Sequence, residues 1–540
     1  MKPQLDAVSL TIFIVFFLIV TAIGFVAARW RRGDLNQIHE WGLAGRRFGT
    51  TVTWFLLGGD LYTAYTFIAV PAAMFGLGAL NGWFAVPYTI LVYPIVYVLM
   101  PKFWSVCKQR GYVTAADFVK DRFGSGTLAL AMAITGIVAT LPYIALQMFG
   151  IQVCLAALGI PLGVSIGSVQ IDIPLLIAFI ILAAYTYTSG LRAPAMIALV
   201  KDVMVLTVVL VAIIYIPIKL GGFSNIFAAV HAKAVANPPL VHGKANPTAF
   251  FEFLSSKQYL AYTTLAVGSA LALFLYPHSL TGTLSSSSRD VVKRNTALLP
   301  IYSLMLGLLA LLGYMAIAAK VKPLATFGAN GSIPALILVE FPNWFAGFAF
   351  AAISIGALVP AAVMSIAAAN LFTRNIWKEY VHREASEREE TQVAKLASLL
   401  LKFGAVLFIV YIPTQQVINF QLLGGIWILQ TLPAVFLGLF TNWFNRWALL
   451  IGWLVAEVLG TMMFIAASLK AVYTLQLGSL TIIAYAAAIA LVVNLVLAII
   501  LTPIFEAVGA RRGQDATSPQ DYEEALAPVE PVEAGKEALG

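Results

Sequence analysis

A single carboxylate beside a glycine pair stands in the otherwise apolar run Trp54-Phe55-Leu56-Leu57-Gly58-Gly59-Asp60-Leu61-Tyr62-Thr63-Ala64-Tyr65-Thr66-Phe67. Paired glycines weaken a helix and let other groups come close to its backbone. An aspartate at bilayer depth costs roughly 3 kcal/mol on insertion scales unless it is paired, hydrated or protonated. Residues of these types in this order suit a transmembrane helix that breaks near the midplane, where freed carbonyls coordinate cations and half-helix amino termini face anions. The chemistry is then binding and release of an ion and a small solute. The plain alternative is a tight helix crossing at Gly58 and Gly59, with Asp60 hydrogen-bonded to a neighbour.

The elements that position this stretch follow from composition. Of 540 residues 60% are hydrophobic and 11% charged, a balance that no soluble domain carries without large exposed apolar patches. The chain therefore reads as an all-α polytopic membrane protein. A formal net charge of +8 could suggest nucleic acid, but the bases sit in short loops between apolar runs, as cytoplasmic loops do. Nucleic acid is thus excluded as a partner, and the lipid bilayer takes its place. Cys107 and Cys154 give neither a disulfide framework nor a metal-ligand spacing.

Apolar runs long enough to span occur at 7–28 and at about 48–76, 83–101, 127–158, 172–189, 195–218, 259–277, 296–319, 333–369, 394–412, 417–440, 447–468 and 476–503, about 13 transmembrane helices. Arg29, Arg31 and Arg32 follow the first run, so the N-terminus is expected outside and the helix uncleaved. Arg110, Arg122, Arg192, Arg289, Arg374, Arg446 and Arg511 then all fall on the cytoplasmic side if the helices alternate. The segment 221–257 is expected as an external loop with a short helix, and 507–540 as a disordered cytoplasmic tail after a transporter domain over 1–506. Spans two to six and seven to eleven form two five-helix sets of opposite orientation, the topology of an inverted repeat. The first helix of each set is the irregular one: Gly58-Gly59 in the first, Gly268-Ser269-Ala270 and Pro277-His278 in the second.

Several stretches carry a resemblance. They are Trp41-Gly42-Leu43-Ala44-Gly45-Arg46-Arg47-Phe48-Gly49 leading into Gly58 to Tyr65, Gly111-Tyr112-Val113-Thr114-Ala115-Ala116-Asp117-Phe118, Tyr143-Ile144-Ala145-Leu146-Gln147, Ser189-Gly190-Leu191-Arg192-Ala193, Tyr276-Pro277-His278 and Leu371-Phe372-Thr373-Arg374-Asn375-Ile376-Trp377-Lys378. In order and spacing the chain resembles the sodium/solute symporter family over about residues 5–505, and within it the bacterial monocarboxylate permeases that take up lactate, pyruvate and related acids. The resemblance implies a core of ten helices in an inverted five-plus-five repeat, about 48–220 and 258–440, with one helix before and two after. It also implies cation-coupled symport of a small organic acid into the cell across the plasma (inner) membrane, with no cofactor beyond the coupling ion.

Two departures from the family pattern bear on that ion. The resemblance places the sodium-binding carbonyls at about Leu57, Gly58, Gly59 and Asp60, opposite a hydroxyl pair on the eighth core helix. Here the hydroxyl positions fall on Val359 and Pro360, which have no side-chain oxygen, and only a shift of register would bring in Ser354 or Ser365. In the fifth core helix, Lys201-Asp202 lies beyond the usual aspartate position and Val205 stands where a glutamine is usual. Lys201 and Asp202 read equally as a local ion pair or a relay. Coupling through Asp60 to Na+ or to H+ stays open.

For the solute, the expected lining is Tyr62, Thr63 and Tyr65 on the broken helix, Tyr143 and Gln147 on the third core helix, Tyr262 and Ser269 on the sixth, and Gln421 and Trp427 on the tenth. No arginine at bilayer depth offers a bidentate clamp, so a carboxylate would depend on half-helix amides and neutral donors. His278 reads as a structural cap or gate element, and Glu457 as the partner of a neighbouring helix outside the core. The scattered histidines show no metal cluster or nucleophile constellation, which argues against an enzyme. No selectivity filter is visible for a channel. A transporter-like membrane sensor is the remaining rival, with about thirty tail residues too few for a signalling module. Cysteines introduced at Ser386 or Ser518 are expected to react with an impermeant reagent only after the membrane is permeabilised, and one at Ala236 in intact cells. Labelling at Ser518 in intact cells would overturn the helix count.

Overall fold

The computed structural model describes residues 4–30, 33–161, 163–166, 169–236, 250, 252–411 and 417–523. Helix α1 (Ala7–Val26) precedes a broken span of α2 (Thr50–Gly59) and α3 (Tyr65–Leu77). Then come α4 (Ala85–Arg110), an amphipathic α5 (Ala115–Phe123), α6 (Gly126–Ala157), α7 (Ile173–Ser189), α8 (Arg192–Lys219) and a surface helix α9 (Phe223–Ala236). The second set opens with α10 (Tyr259–Leu273) and α11 (Pro277–Leu284), bent by 47°. It continues with α12 (Arg289–Ala318), the short α13 (Ser332–Glu340), α14 (Asn343–Phe372), α15 (Glu387–Tyr411) and the pair α16 (Val417–Leu429) and α17 (Leu432–Leu439), bent by 44°. Last come α18 (Arg446–Ala466), a hairpin of β1 (Val472–Leu477) and β2 (Leu480–Tyr485), and α19 (Ala486–Ala507).

Among the described residues, eight helices are long and apolar enough to cross a membrane alone and two more cross as bent pairs. The broken span α2 to α3, the 17-residue α7 and the charged-ended α15 bring the set to thirteen. Each five-helix set begins with its broken span, as an inverted repeat requires. The second break differs from the expected one. Helix α10 runs unbroken through Gly268-Ser269-Ala270, and the chain leaves helical geometry at Phe274 to Tyr276, just before Pro277. Gly268 serves close packing instead, because a Cβ there would lie 2.8 Å from the Tyr485 ring. Proline then starts α11 at the position where its missing N–H costs nothing.

At the centre stands α14, whose apolar window is wholly buried. Its run of Ala, Gly and Ser lets α1, α6, α8 and α15 pack closely on all sides. The motifs that carry the resemblance clamp the basic side. Arg192 pairs with Glu40 and donates to its backbone carbonyl at 2.7 Å, while Leu191 N donates to Trp41 O at 2.9 Å. Asn375 donates to Asp117 at 2.8 Å and accepts from Thr114 at 2.8 Å. Arg46 donates to the carbonyls of Tyr112 and Leu284 at 2.5 and 3.1 Å. Each clamp ties helices far apart in sequence, so these residues position the broken spans without lining them.

Residues 508–523 lie docked on the same side, where the sequence reading has a free tail; residues 524–540 are outside the described set. Asp515 pairs with Arg122, Asp521 with Arg110 at 2.7 Å, and Ala516 N donates to Asp121 O at 2.9 Å. Tyr522 sits edge-on to Phe118 and under the Arg122 guanidinium. Burial works against the charge of Asp521, but hydrogen bonds from Arg110 and Ser518 hold its carboxyl below the usual range. A depressed folded-state pKa means that this pair stabilises docking above the ordinary carboxylate range and loses that contribution as pH falls through the folded value. Tyr522→Ala should remove about 1–2 kcal/mol of docking energy. Hydrogen exchange at the Ala516 and Asp521 amides should then rise about tenfold or more. Unchanged exchange would show that the ring does not hold the segment.

Candidate functional site

The glycine pair ends α2, and the backbone then runs through Asp60 to Ala64 before a π-helical turn at Tyr65–Ala69 opens α3. Both glycines are needed for close approach. A Cβ on Gly58 would lie 2.5 Å from the Tyr302 ring, and one on Gly59 would lie 2.9 Å from Lys201 Nζ and 3.0 Å from the Asp202 carboxylate. The glycines thus serve close approach, Gly58 to Tyr302 on α12 and Gly59 to a charged pair on α8.

Lys201 and Asp202 are fully buried. The ammonium donates to Gly59 O and, at 3.1 Å, to Tyr62 O, and lies 3.1 Å from Asp202 Oδ1. Two carbonyls accept its protons and the carboxylate balances its charge. Tyr302 on α12 donates to Asp202 Oδ2 at 2.9 Å, and its own carbonyl accepts the Tyr62 hydroxyl at 2.6 Å. Two of the carbonyls released by the break are therefore held within the chain, and a buried charge is paired, as burial demands. Tyr62 belongs to this group on the α8 and α12 side.

Asp60 points the other way, toward α11. Its Oδ2 lies 3.3 Å from His278 Nε2 and accepts from Ser279 Oγ at 3.4 Å. Both partners occupy the first turn of α11, where exposed amides favour a negative charge. His278 also contacts the rings of Tyr143 and Tyr276, at 5.4 and 5.3 Å between centroids. Tyr143 faces Tyr65 at 6.5 Å. One turn along α6, Gln147 accepts from Ala64 N at 3.0 Å. The Tyr276 hydroxyl donates to Gln421 O at 3.4 Å, which brings α16 to the group.

The structure thus gathers Asp60, Thr63, Tyr65, Tyr143, Gln147 and Gln421 with His278, Ser279 and Tyr276. Several of their polar atoms are buried with no hydrogen-bond partner: Asp60 Oδ1, Gln147 Nε2, His278 Nδ1 and Gln421 Oε1. Buried polar atoms without a protein partner are places where a water or a ligand would bond. A small cavity of about 30 Å³ adjoins α11 on the basic side, lined by Thr114, Met132, Gly136, Pro277, Thr281 and Leu371.

Other expected residues lie elsewhere. Trp427 donates to Thr461 on α18 at 2.9 Å, so it packs outward against the helices beyond the core. Ser269 is half-buried with its hydroxyl oxygen unpartnered, and Tyr262, on the same face of α10, is half-buried as well. Among the described residues no hydrogen bond or ring contact ties either to the group. Ser365 donates to Ala362 O at 2.8 Å and accepts from Ser398 at 3.2 Å, on the side of α14 that faces α15. Opposite Tyr62 O stands Gly356, where a Cβ would lie 3.7 Å from that oxygen. Val359 and Pro360 follow one turn on along that face, and neither Ser354 nor Ser365 shares its spacing. Leu57 packs against Gly282 of α11. Glu457 accepts from Thr135 at 3.4 Å, outside the group.

Sequence reasoning missed His278 as a partner of Asp60. The signal was there: a polar Pro-His-Ser at the second break, of the kind that makes the first break notable. What hid it was the register, because the interruption was placed partly at Gly268.

The sequence profile of the Sodium:solute symporter family matches residues 41–456. A monocarboxylate transport permease protein of Rhizobium johnstonii is 51% identical over 94% of this chain and 99% of its own length. An uncharacterised symporter of Bacillus subtilis is 32% identical over 94% of this chain and 95% of its own. A solved structure of a Na+-coupled sialic acid symporter, in a substrate-bound outward-open state, superposes with a TM-score of 0.70 at 16% identity, covering 93% of this chain and 98% of that one. The last shares the fold. The chain belongs to the sodium:solute symporter family and is a multi-pass membrane transporter that carries a small solute together with a cation, and not an enzyme.

Proposed function

We propose that the solute is a small monocarboxylate such as lactate or pyruvate, taken into the cell across the plasma membrane with Na+ or H+ by way of Asp60. The observation that carries this reading is the group of orphaned polar atoms at the two helix breaks. Gln147 Nε2 is buried and free to bond an acceptor, Asp60 Oδ1 and Gln421 Oε1 are free to bond a donor, His278 Nδ1 takes either role according to which ring nitrogen carries the proton, and the rings of Tyr143 and Tyr276 wall the space. A short 2-hydroxy acid such as lactate presents both kinds of partner within a few ångströms, and a keto acid such as pyruvate presents acceptors to the same donors. The name of the Rhizobium relative points to the same class of solute.

Asp60 suits coupling because its position on the loop between two half-helices lets one ligand alter the other's binding. A cation or proton that neutralises the carboxylate removes its repulsion of a second negative charge, and the acid in turn strengthens binding of the cation. The groups that face Asp60 are His278 and Ser279 on α11 and, through Gly59, the Lys201-Asp202 pair on α8. The basic side, where the motif clamps and the docked tail lie, is the cytoplasmic side in this reading.

Proteoliposomes with separately imposed Na+ and H+ gradients test the reading. Labelled lactate or pyruvate should accumulate above equilibrium under at least one of them and equilibrate without either. Absence of saturable uptake under both would remove the monocarboxylate assignment. Asp60→Asn keeps the size of the side chain and should insert at wild-type levels, but accumulation should fall to that of empty liposomes. Concentrative uptake by that variant at matched expression would end the coupling role.

A further inference from the structure

We propose that the Lys201 ammonium is a built-in cation, seated on the carbonyls that a broken helix would otherwise offer to a dissolved ion, and that no Na+ binds there. This deepens the symport reading, on which its transport arm rests.

The argument is one of oxygens. The break frees the carbonyls of Gly59 and Tyr62, and the ammonium holds both, with Asp202 Oδ1 as its third neighbour. Two carbonyls and a carboxylate around a positive centre, all of it buried, make a cation site whose occupant is covalently tethered. An alkali ion would have to evict the ammonium, which has no other partner among the described residues. The side chains across from Tyr62 O offer no further oxygen, since the facing surface of α14 carries Gly356, Val359 and Pro360. Ser365 is engaged with Ser398 on another side.

The glycine pair fits the same account. Gly59 has space for the Lys201-Asp202 pair and for nothing larger than hydrogen, and Gly58 admits the Tyr302 ring that fixes Asp202. Along α8, adjacent residues do not normally face one target. Here Lys201 and Asp202 both reach Gly59 because its bare backbone lies against the helix. The arrangement is built around the ammonium, with Asp202 balancing its charge and Tyr302 holding Asp202.

Removing the tether should expose the site. Lys201→Ala leaves the Asp202 carboxylate and two carbonyls around a space the size of an ammonium group, so that variant should bind small cations. In Asp60→Asn, which removes the neighbouring carboxylate, neither binding of radioactive Na+ to the purified protein nor its thermal unfolding should respond specifically to Na+ against choline. In Lys201→Ala, uptake should fall by about tenfold or more as the buried carboxylate loses its partner. Both uptake and unfolding temperature should recover on addition of Na+ or methylammonium. Saturable Na+ binding or Na+-specific stabilisation of Asp60→Asn would overturn the proposal. So would a folded Lys201→Ala protein that neither cation restores. If Lys201→Ala does not fold, the Asp60→Asn binding measurement decides alone. Failure of lactate uptake under every gradient would count against the solute assignment and leave that binding test intact.

Discussion

The contact on which the rest depends is that of the Lys201 ammonium with the carbonyls of Gly59 and Tyr62. A helix broken inside a membrane leaves backbone oxygens with no water to satisfy them, and each unsatisfied group costs several kcal/mol. Here those oxygens are met by a cation from the neighbouring helix, whose charge is met in turn by Asp202. The break is therefore a stable feature of the fold.

Much of the local sequence follows from that contact. Gly58 and Gly59 have no side chains because Tyr302 and the Lys201-Asp202 pair occupy the adjoining space. Tyr62 turns toward Tyr302 and away from the solute group. Asp60, next in sequence to the held carbonyl, is left facing the start of α11, where His278 and Ser279 meet it. The two breaks of the inverted repeat thus face each other across one carboxylate, walled by Tyr143 and Gln147 from α6.

The sequence made the class and the helix count legible because hydropathy over a bilayer's thickness is a strong signal and arginines sort the loops. It made the first break legible because a carboxylate beside two glycines has few uses in lipid. The role of Lys201 was not legible. Its partners are backbone oxygens more than a hundred residues away, and a carbonyl leaves no trace in residue identity. The same limit explains Trp427, an aromatic on a core helix whose facing direction depends on how α16 sits against α18. It explains the docked residues 508–523 as well, where composition suggested a free tail but Asp515 and Asp521 find arginines at the ends of α4 and α5, distant in sequence.

The most direct test is an experimental structure of the wild-type protein by electron cryo-microscopy, in sodium chloride with lactate present. The account predicts density for the acid between Gln147, Tyr143 and His278, beside Asp60. It also predicts the Lys201 side chain still on the Gly59 and Tyr62 carbonyls. An ion coordinated by those carbonyls with Lys201 turned away, or the acid bound apart from the two helix breaks, would contradict it.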